Sequence, residues 1–377
     1  MNGRPVSADV VVVGGGLVGS ATAYELACAG AEVVLVDASH PGRASDAGAG
    51  IVSPETLHDP DEEWFAFATG AADHLRQLVA RLGEEGVDAG PDTYAACGSL
   101  VLALAEHEDP WFSEVRDVVL RRSPGVSEIT AAEARGRFPA LAPPWRALYS
   151  PAAARLDGRR LSAALRGAAD RRGVRLVDTE AVGIERRGDR ASSVRTDDGV
   201  LACGSVVLAG GAWTAAAGSW LGVALPVAPT KGQIVHVVVP EGRAQPDTGG
   251  WPIVQPIFNF YLVPWRGGRV ACGGTFEAEA GFDTRPTVAG VRDLLRECAA
   301  IAPGLAEATV SEVRVGLRPV SADDRPLLGA VPGWANVHVC SGHGANGLAL
   351  GPYSGALVAA GVLGGAAPPY GLGRLTG

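Results

Sequence analysis

The feature that most narrows the fold is a glycine turn set between a buried strand and a helix. Val10–Val13 is a continuous apolar run, the pattern of a strand buried on both faces. Gly14, Gly15 and Gly16 interrupt it, and Leu17–Ala29 then reads as a helix with Val18, Ala21, Leu26 and Ala29 along one side. Gly30 stands where a helix ends, Glu32–Val36 is a second apolar strand, and Asp37 closes it. Strand, helix and strand in this order imply a parallel sheet with a right-handed crossover. Gly14, Gly16 and Gly19 have the spacing G-x-G-x-x-G. Gly14 allows the tight turn, Gly16 lets a pyrophosphate approach the backbone, and Gly19 lets helix and strand pack closely. The helix N-terminus adds free N–H groups, and Asp37 follows about twenty residues on, where a carboxylate can bind an adenosine ribose. The whole unit predicts a dinucleotide site. The plainer alternative is a glycine-rich turn before a structural helix.

The rest of the chain is long enough to complete such a site. Its 377 residues allow one large domain or two, and a core that needs no metal or disulfide. A formal charge of −9 gives no support to a nucleic-acid-binding surface. Basic charge is nearly all arginine; Lys231 is the only lysine. The six cysteines, Cys28, Cys97, Cys203, Cys272, Cys298 and Cys340, form no close pairs in sequence, so neither a disulfide framework nor a zinc site is indicated, and no metal is expected. No signal-like segment opens the chain. Gly344 to Leu372 carries no charge, but glycines and Pro352 break it, which favours a buried helix over a membrane span. A cytoplasmic protein with no integral membrane segment is expected; a homo-oligomer is left open.

Helical spacing marks Asp61–Leu82, Pro110–Leu120, Leu161–Arg171 and Val288–Ala300, and a last helix starts near Gly347. Strand-like runs lie at Gly98–Leu104, Val174–Val177, Ala191–Thr196, Ser205–Ala209, Val310–Leu317 and Asn336–Cys340, and Ile234–Thr275 is strand-rich. Nucleotide-binding signals sit near both ends and in the middle, so two interleaved domains are expected. The fold class predicted is α/β: a Rossmann-like dinucleotide-binding domain (8–85, 152–217, 325–364) interleaved with an α+β second domain on a mostly antiparallel sheet (86–151, 218–324).

FAD and NAD both use the first turn, so the choice rests on later segments. Val206 to Thr214 is a buried strand running into small residues, with Gly210, Gly211 and Trp213. Ala44 to Pro54 is a run of small residues after Asp37. Leu225-Pro226-Val227 precedes Lys231-Gly232-Gln233. Tyr261-Leu262-Val263-Pro264 and Gly273-Gly274-Thr275 follow. Gly316-Leu317-Arg318-Pro319 leads to Asp324, Pro326 and Gly329, and Gly342-His343-Gly344 to Asn346-Gly347. In this order the segments resemble the D-amino-acid oxidase superfamily of FAD enzymes, which includes glycine oxidase, sarcosine oxidase and D-amino-acid dehydrogenase. The resemblance spans nearly the whole chain.

The resemblance implies FAD as cofactor and a role for each matching position. Gly14, Gly16, Leu17, Val18, Gly19, Asp37 and Ala38 would hold the ADP half. Ser45, Gly48, Ala49, Gly50 and Ile51 would flank the pyrophosphate and flavin, with Ala181, Gly210 and Trp213 near the cofactor. Gly344, Ala345, Asn346, Gly347 and Leu348 would bring N–H groups and a helix N-terminus to the isoalloxazine. Arg318 would grip a substrate carboxylate by a bidentate fork, and Tyr261 would line the pocket. His343 is a candidate proton acceptor. Each has a plainer alternative: a solvated arginine after its strand, an amphipathic core tyrosine, a satisfied structural histidine. Lys231 is expected to face solvent from a strand edge.

Two positions depart from the pattern. Some glycine oxidases carry an arginine just after the glycine–histidine pair, where this chain has Gly344-Ala345, so a second carboxylate anchor is missing and a larger or less acidic substrate fits the pattern. Asp37 stands where many members have glutamate. The expected reaction is oxidation of the carbon–nitrogen bond of glycine, a D-amino acid or an N-alkyl amino acid, by hydride transfer to flavin N5. The imine product hydrolyses, and electrons pass to oxygen or another acceptor. The rival readings are a hydroxy-acid dehydrogenase and a flavin-binding subunit that needs a partner chain.

Overall fold

The computed structural model describes residues 6–87, 89–240, 247–258 and 260–375. Val6–Val13 runs into the helix Leu17–Cys28 and on to the strand Val33–Asp37, and the two strands pair in parallel from Val10↔Val33 to Val13↔Val36. Val10–Val12 and Val33–Val36 are buried on both faces, as their apolar runs require. On its other side Val6–Val13 pairs in parallel with Gly199–Leu208, a strand longer than Ser205–Ala209. The first half of Gly199–Leu208 belongs to an antiparallel meander with Arg190–Thr196 and Ala181–Arg187; its last residues pair in parallel with Val337–Ser341. The first strand therefore has neighbours on both sides whose carboxyl ends point the same way as its own. The crevice outside those ends is the usual ligand site of such sheets.

The second large sheet orders its strands Thr309–Ser321, Val227–Val238, Arg269–Gly273, Tyr261–Pro264, Ile253–Pro256, Ser99–Ala103, Arg146–Ser150 and Ser127–Ile129. Alternation along the strands gives it two distinct faces. Val235, Leu262 and Cys272 lie on one face, under Leu294, Cys298 and Ile301 of the helix Val288–Ile301. Ile234, Ile253, Val263 and Ala271 lie on the other, packed with Ala49, Ile51 and Tyr261. This second face looks toward the first sheet. A three-stranded sheet of Ile51–Val52, Ala154–Leu156 and Tyr94–Ala96 anchors the segment between them.

The helices follow their spacing, with ends moved by caps. Glu62–Glu84 starts one residue late because Asp61 is its N-cap, accepting from the N–H groups of Glu63 and Trp64. Gly158–Arg171 starts three residues earlier than Leu161 because Asp157 caps it. The final helix, Gly347–Val362, packs on Leu17–Cys28 through Gly351 and Gly355, whose β-carbons would sit 2.8 Å from Val18 and 2.9 Å from Thr22. That close approach explains its uncharged, glycine-rich sequence. No helix among the described residues is long and apolar enough to cross a membrane.

Two expectations need correction. Arg318 and Pro319 do not follow a strand: Thr309–Ser321 runs through both. The strand lies at the sheet edge, where a proline without an N–H costs no ladder bond. Lys231 does not face solvent; it is 1% exposed, with Glu277 at 3.5 Å and Asp283 at 3.8 Å. Its odd position in the strand turns it to the same face as Gln233 and Val235, away from the site. Cys272 and Cys298, distant in sequence, meet at 3.2 Å between sulfurs under the helix Val288–Ile301.

Candidate active site

A cavity of about 510 Å³ lies between the two large sheets. It begins at the glycine turn. Gly14 has φ +107°, and a β-carbon there would be 2.4 Å from the Ala209 carbonyl oxygen. Gly19 would collide with the Gly14 carbonyl at 1.8 Å, so helix and turn touch backbone to backbone. Ser45 Oγ accepts from Leu17 N–H at 2.9 Å and fixes the small-residue segment against the helix start. Gly50 has φ +77°, and its β-carbon would be 1.7 Å from Leu156 O. Gly48 would meet the Leu348 side chain at 2.6 Å. The walls are thus shaped by backbone, and a flat or extended ligand can lie along them.

Nearly every residue singled out from the sequence lines this one cavity. Gly14, Gly16, Leu17, Val18, Ala38, Ser45, Gly48, Ala49, Gly50, Ile51, Ala181, Gly210 and Trp213 do so, as do Tyr261, Arg318, His343 and Gly344 through Leu348. Two do not. Gly19 packs beneath the turn. Asp37 is 6% exposed beside Gly15, and its Oδ2 accepts from Arg43 at 2.7 Å, Arg166 at 3.0 Å and Ser39 Oγ at 3.4 Å. Arg43, His40 and Gln255, which no sequence motif marked, also line the cavity. His40 stacks on Trp213 at 4.8 Å, and Trp213 in turn lies 5.5 Å from Phe282.

The far end is polar. Arg318 Nη1 donates to the carbonyl oxygens of Thr275 at 2.9 Å and Lys231 at 3.4 Å. Its guanidinium lies over Gly232, where a β-carbon would be 2.3 Å away, and near the Phe276 ring at 5.7 Å. The Tyr261 hydroxyl and Arg318 Nη2 converge on Gly274, where a β-carbon would be 2.8 Å from the first and 3.2 Å from the second. The Tyr261 ring covers Gly273 and Gly274, where β-carbons would be 2.6 and 2.8 Å away. Burial pushes the phenol up to about 12 and the nearby Arg318 charge only partly offsets this, so the group is a donor at neutral pH. His343 is 3% exposed, and burial lowers it to about 4. It is therefore a neutral imidazole at physiological pH, with Nε2 buried and unpartnered.

The same chain matches the FAD-dependent oxidoreductase family over residues 9–360. It belongs to that family. Its cofactor is FAD, and the backbone of Gly14, Gly16, Gly48 and Gly50 fits such a group, because all four line the cavity and none puts a side chain between its main chain and a ligand. Among curated relatives, the glycine oxidase of Pseudomonas putida is 33% identical over 354 residues, 93% of each chain. Among solved structures, the iminodiacetate oxidase of a Chelativorans species has a TM-score of 0.88 at 35% identity, covering 95% of this chain and 96% of that one. The glycine oxidase of Geobacillus kaustophilus has a TM-score of 0.87 at 29% identity, covering 97% and 98%. The chain is thus a FAD-dependent oxidoreductase. Among its described residues no group of side chains could hold a metal ion.

Proposed function

We propose that the enzyme oxidises the carbon–nitrogen bond of a small amino acid, with glycine, N-alkyl glycines and D-amino acids as the substrate class and oxygen as the electron acceptor. One observation carries the reading: Arg318 is held by two carbonyl oxygens at the end of the cavity, beside the Tyr261 hydroxyl. A fixed, planar donor fork of this kind matches a carboxylate. The names of the relatives above support an amino-acid substrate, and one of them acts on an N-substituted glycine. The division of labour proposed is a FAD-binding domain of residues 8–85, 152–217 and 325–364 and a substrate domain of residues 86–151 and 218–324.

When bound, FAD supplies the two-electron oxidation. The chain's own part is positioning. Arg318 takes the carboxylate, Tyr261 donates its O–H to the same group, and Ala49 and Ile51 exclude water from the apolar wall between them and the first sheet. Holding the reacting carbon in register supplies much of the acceleration without a strong base. His343, neutral and unpartnered at Nε2, offers a hydrogen bond without a charge.

The test is anaerobic mixing of the holoenzyme with glycine, sarcosine, paired D- and L-alanine, glycolate and lactate, following the flavin absorbance. Bleaching by the amines supports the reading; bleaching by the hydroxy acids alone ends it. Peroxide formed in air with the same amine identifies an oxidase, and dye reduction without peroxide identifies a dehydrogenase instead.

A further inference from the structure

Besides His343, a second polar side chain of the cavity has an unpartnered atom. Gln255 lies on Ile253–Pro256, and the pairing Val254↔Leu262 sets it opposite Tyr261. Residues directly opposite on neighbouring strands share a face, so Gln255 stands on the cavity face beside Tyr261, and both line the cavity. Its Nε2 is buried and makes no hydrogen bond. Leaving a buried amide donor unmade is costly, and such groups are kept where a ligand completes them.

The strand order places this donor relative to Arg318. From Thr309–Ser321 the sheet continues through Val227–Val238, Arg269–Gly273 and Tyr261–Pro264 to Ile253–Pro256. Arg318 folds over Gly232 toward Gly274, and Tyr261 meets it from the other side. Gln255 is one strand beyond Tyr261. At about 4.8 Å per strand, the amide stands two to three spacings, roughly 10–14 Å, from the guanidinium at the backbone level, and less at the side-chain tips. The amine of glycine is only two bonds from its carboxylate carbon, so glycine held by Arg318 does not span this gap.

We propose that Gln255 is a specificity-determining residue that donates to a second oxygen acceptor on the substrate. The substrate favoured by this site is then an amino acid with a carboxylate or carbonyl oxygen on its nitrogen substituent or side chain, remote from the carboxylate on Arg318. This rests on the reading of Arg318 as the carboxylate anchor. It also gives the site a second contact where no arginine follows His343.

The experiment compares iminodiacetate, which carries the second acceptor, with N-propylglycine, of similar length and none, in the holoenzyme and in Gln255→Leu. The expected result is a wild-type preference for iminodiacetate that Gln255→Leu lowers by about tenfold or more, mainly through KM, with N-propylglycine changed by less than about twofold. Gln255→Glu, which retains a polar side chain, lowers iminodiacetate turnover further by like-charge repulsion. It also serves if the leucine variant does not fold. Equal effects on both amines, or wild-type indifference between them, overturn the proposal while leaving the carboxylate anchor intact. If neither amine bleaches the flavin of the wild type, the underlying reading fails and this inference with it.

Discussion

Gly232 has no side chain where the Arg318 guanidinium lies: a β-carbon at Gly232 would sit 2.3 Å from Nη1 and 2.5 Å from the guanidinium carbon. The two residues belong to neighbouring strands, paired through Thr230↔Arg318 and Gly232↔Gly316. The absence of a methyl group on one strand thus sets the position of the charge carried by the other. Gly232→Ala should displace Arg318 without touching the cofactor cradle. A displacement of about 1 Å is expected to lower kcat/KM on the order of 100-fold. FAD content and Tm, measured on the same preparation, should stay near wild type. Unchanged kinetics would show that the arginine is mobile and that its place over Gly232 is not needed.

Arg318 itself can be tested for charge against shape. Arg318→Lys keeps the charge but not the planar fork, and Arg318→Ala removes both. Losing a charged hydrogen-bonding partner of this kind costs about 2–5 kcal/mol, tens to thousands-fold in kcat/KM. Both variants should fall into that range with a carboxylate substrate. They should approach wild type with an amine that has no carboxylate. A wild-type kcat/KM in Arg318→Ala would take the carboxylate out of the scheme.

The flavin should be held without a covalent bond. Cys340 is the cysteine nearest the cofactor, since it lines the cavity, but it is fully buried in the apolar core. Burial pushes its thiol well up from the usual cysteine range, and a protonated thiol is a poor nucleophile. Acid precipitation should release all yellow colour into the supernatant as FAD. Colour in the pellet that disappears in Cys340→Ser would show a thioether.

Arg155 is the largest fully buried side chain, 1% exposed, and its Nε and Nη1 have no partner. It packs against the Trp265 ring at 5.3 Å and beside Cys97, and among the described residues no carboxylate forms an ion pair with it. A buried charge without a counter-charge weakens a fold, and an apolar side chain of similar length removes that cost. Arg155→Met should therefore keep or raise the Tm in a thermal scan. A drop of several degrees would mean that the arginine is satisfied by something bound beside it.

What could be read from the sequence was local. The turn from Gly14 to Gly19 announces itself because all its constraints fall within one strand, one loop and one helix start, and the cavity begins there. The polar end of the site is assembled from strands spread between Val227 and Ser321. Arg318 and Tyr261 were reachable only through a family resemblance. Gln255 was not reachable at all, since its neighbour Tyr261 is fixed by the register Val254↔Leu262 and not by any motif. Lys231 was misplaced for a related reason. Alternation along Val227–Val238 separates two faces, but which face meets the cavity depends on where the helix Val288–Ile301 packs. Asp37 was legible as the acid after the second strand, while its arginine partners, Arg43 and Arg166, come from a loop and a helix that carry no signal for it.

Buried histidines should make the fold acid-sensitive in a window of its own. Burial lowers His343 to about 4, and burial together with Arg314 and Arg269 lowers His236 to about 3. In the unfolded chain both titrate near 6.5. Between those values the unfolded state binds protons that the folded state refuses, so stability rises with pH across the window. The contribution is present above about 6.5 and is lost as pH falls toward the folded values. Carboxylates with lowered values, such as Glu277 and Glu312, stay ionised in both states until pH falls near the ordinary glutamate range. A thermal scan between pH 7 and 5 therefore reads the buried histidines together, His74 and His338 included, against the opposing contribution of Glu55, which burial raises. The Tm of the holoenzyme should fall steadily over that interval. His236→Gln, which is distant from the cavity, should flatten the slope without changing FAD content. A Tm as high at pH 5 as at pH 7 would show that both imidazoles accept a proton in the folded state.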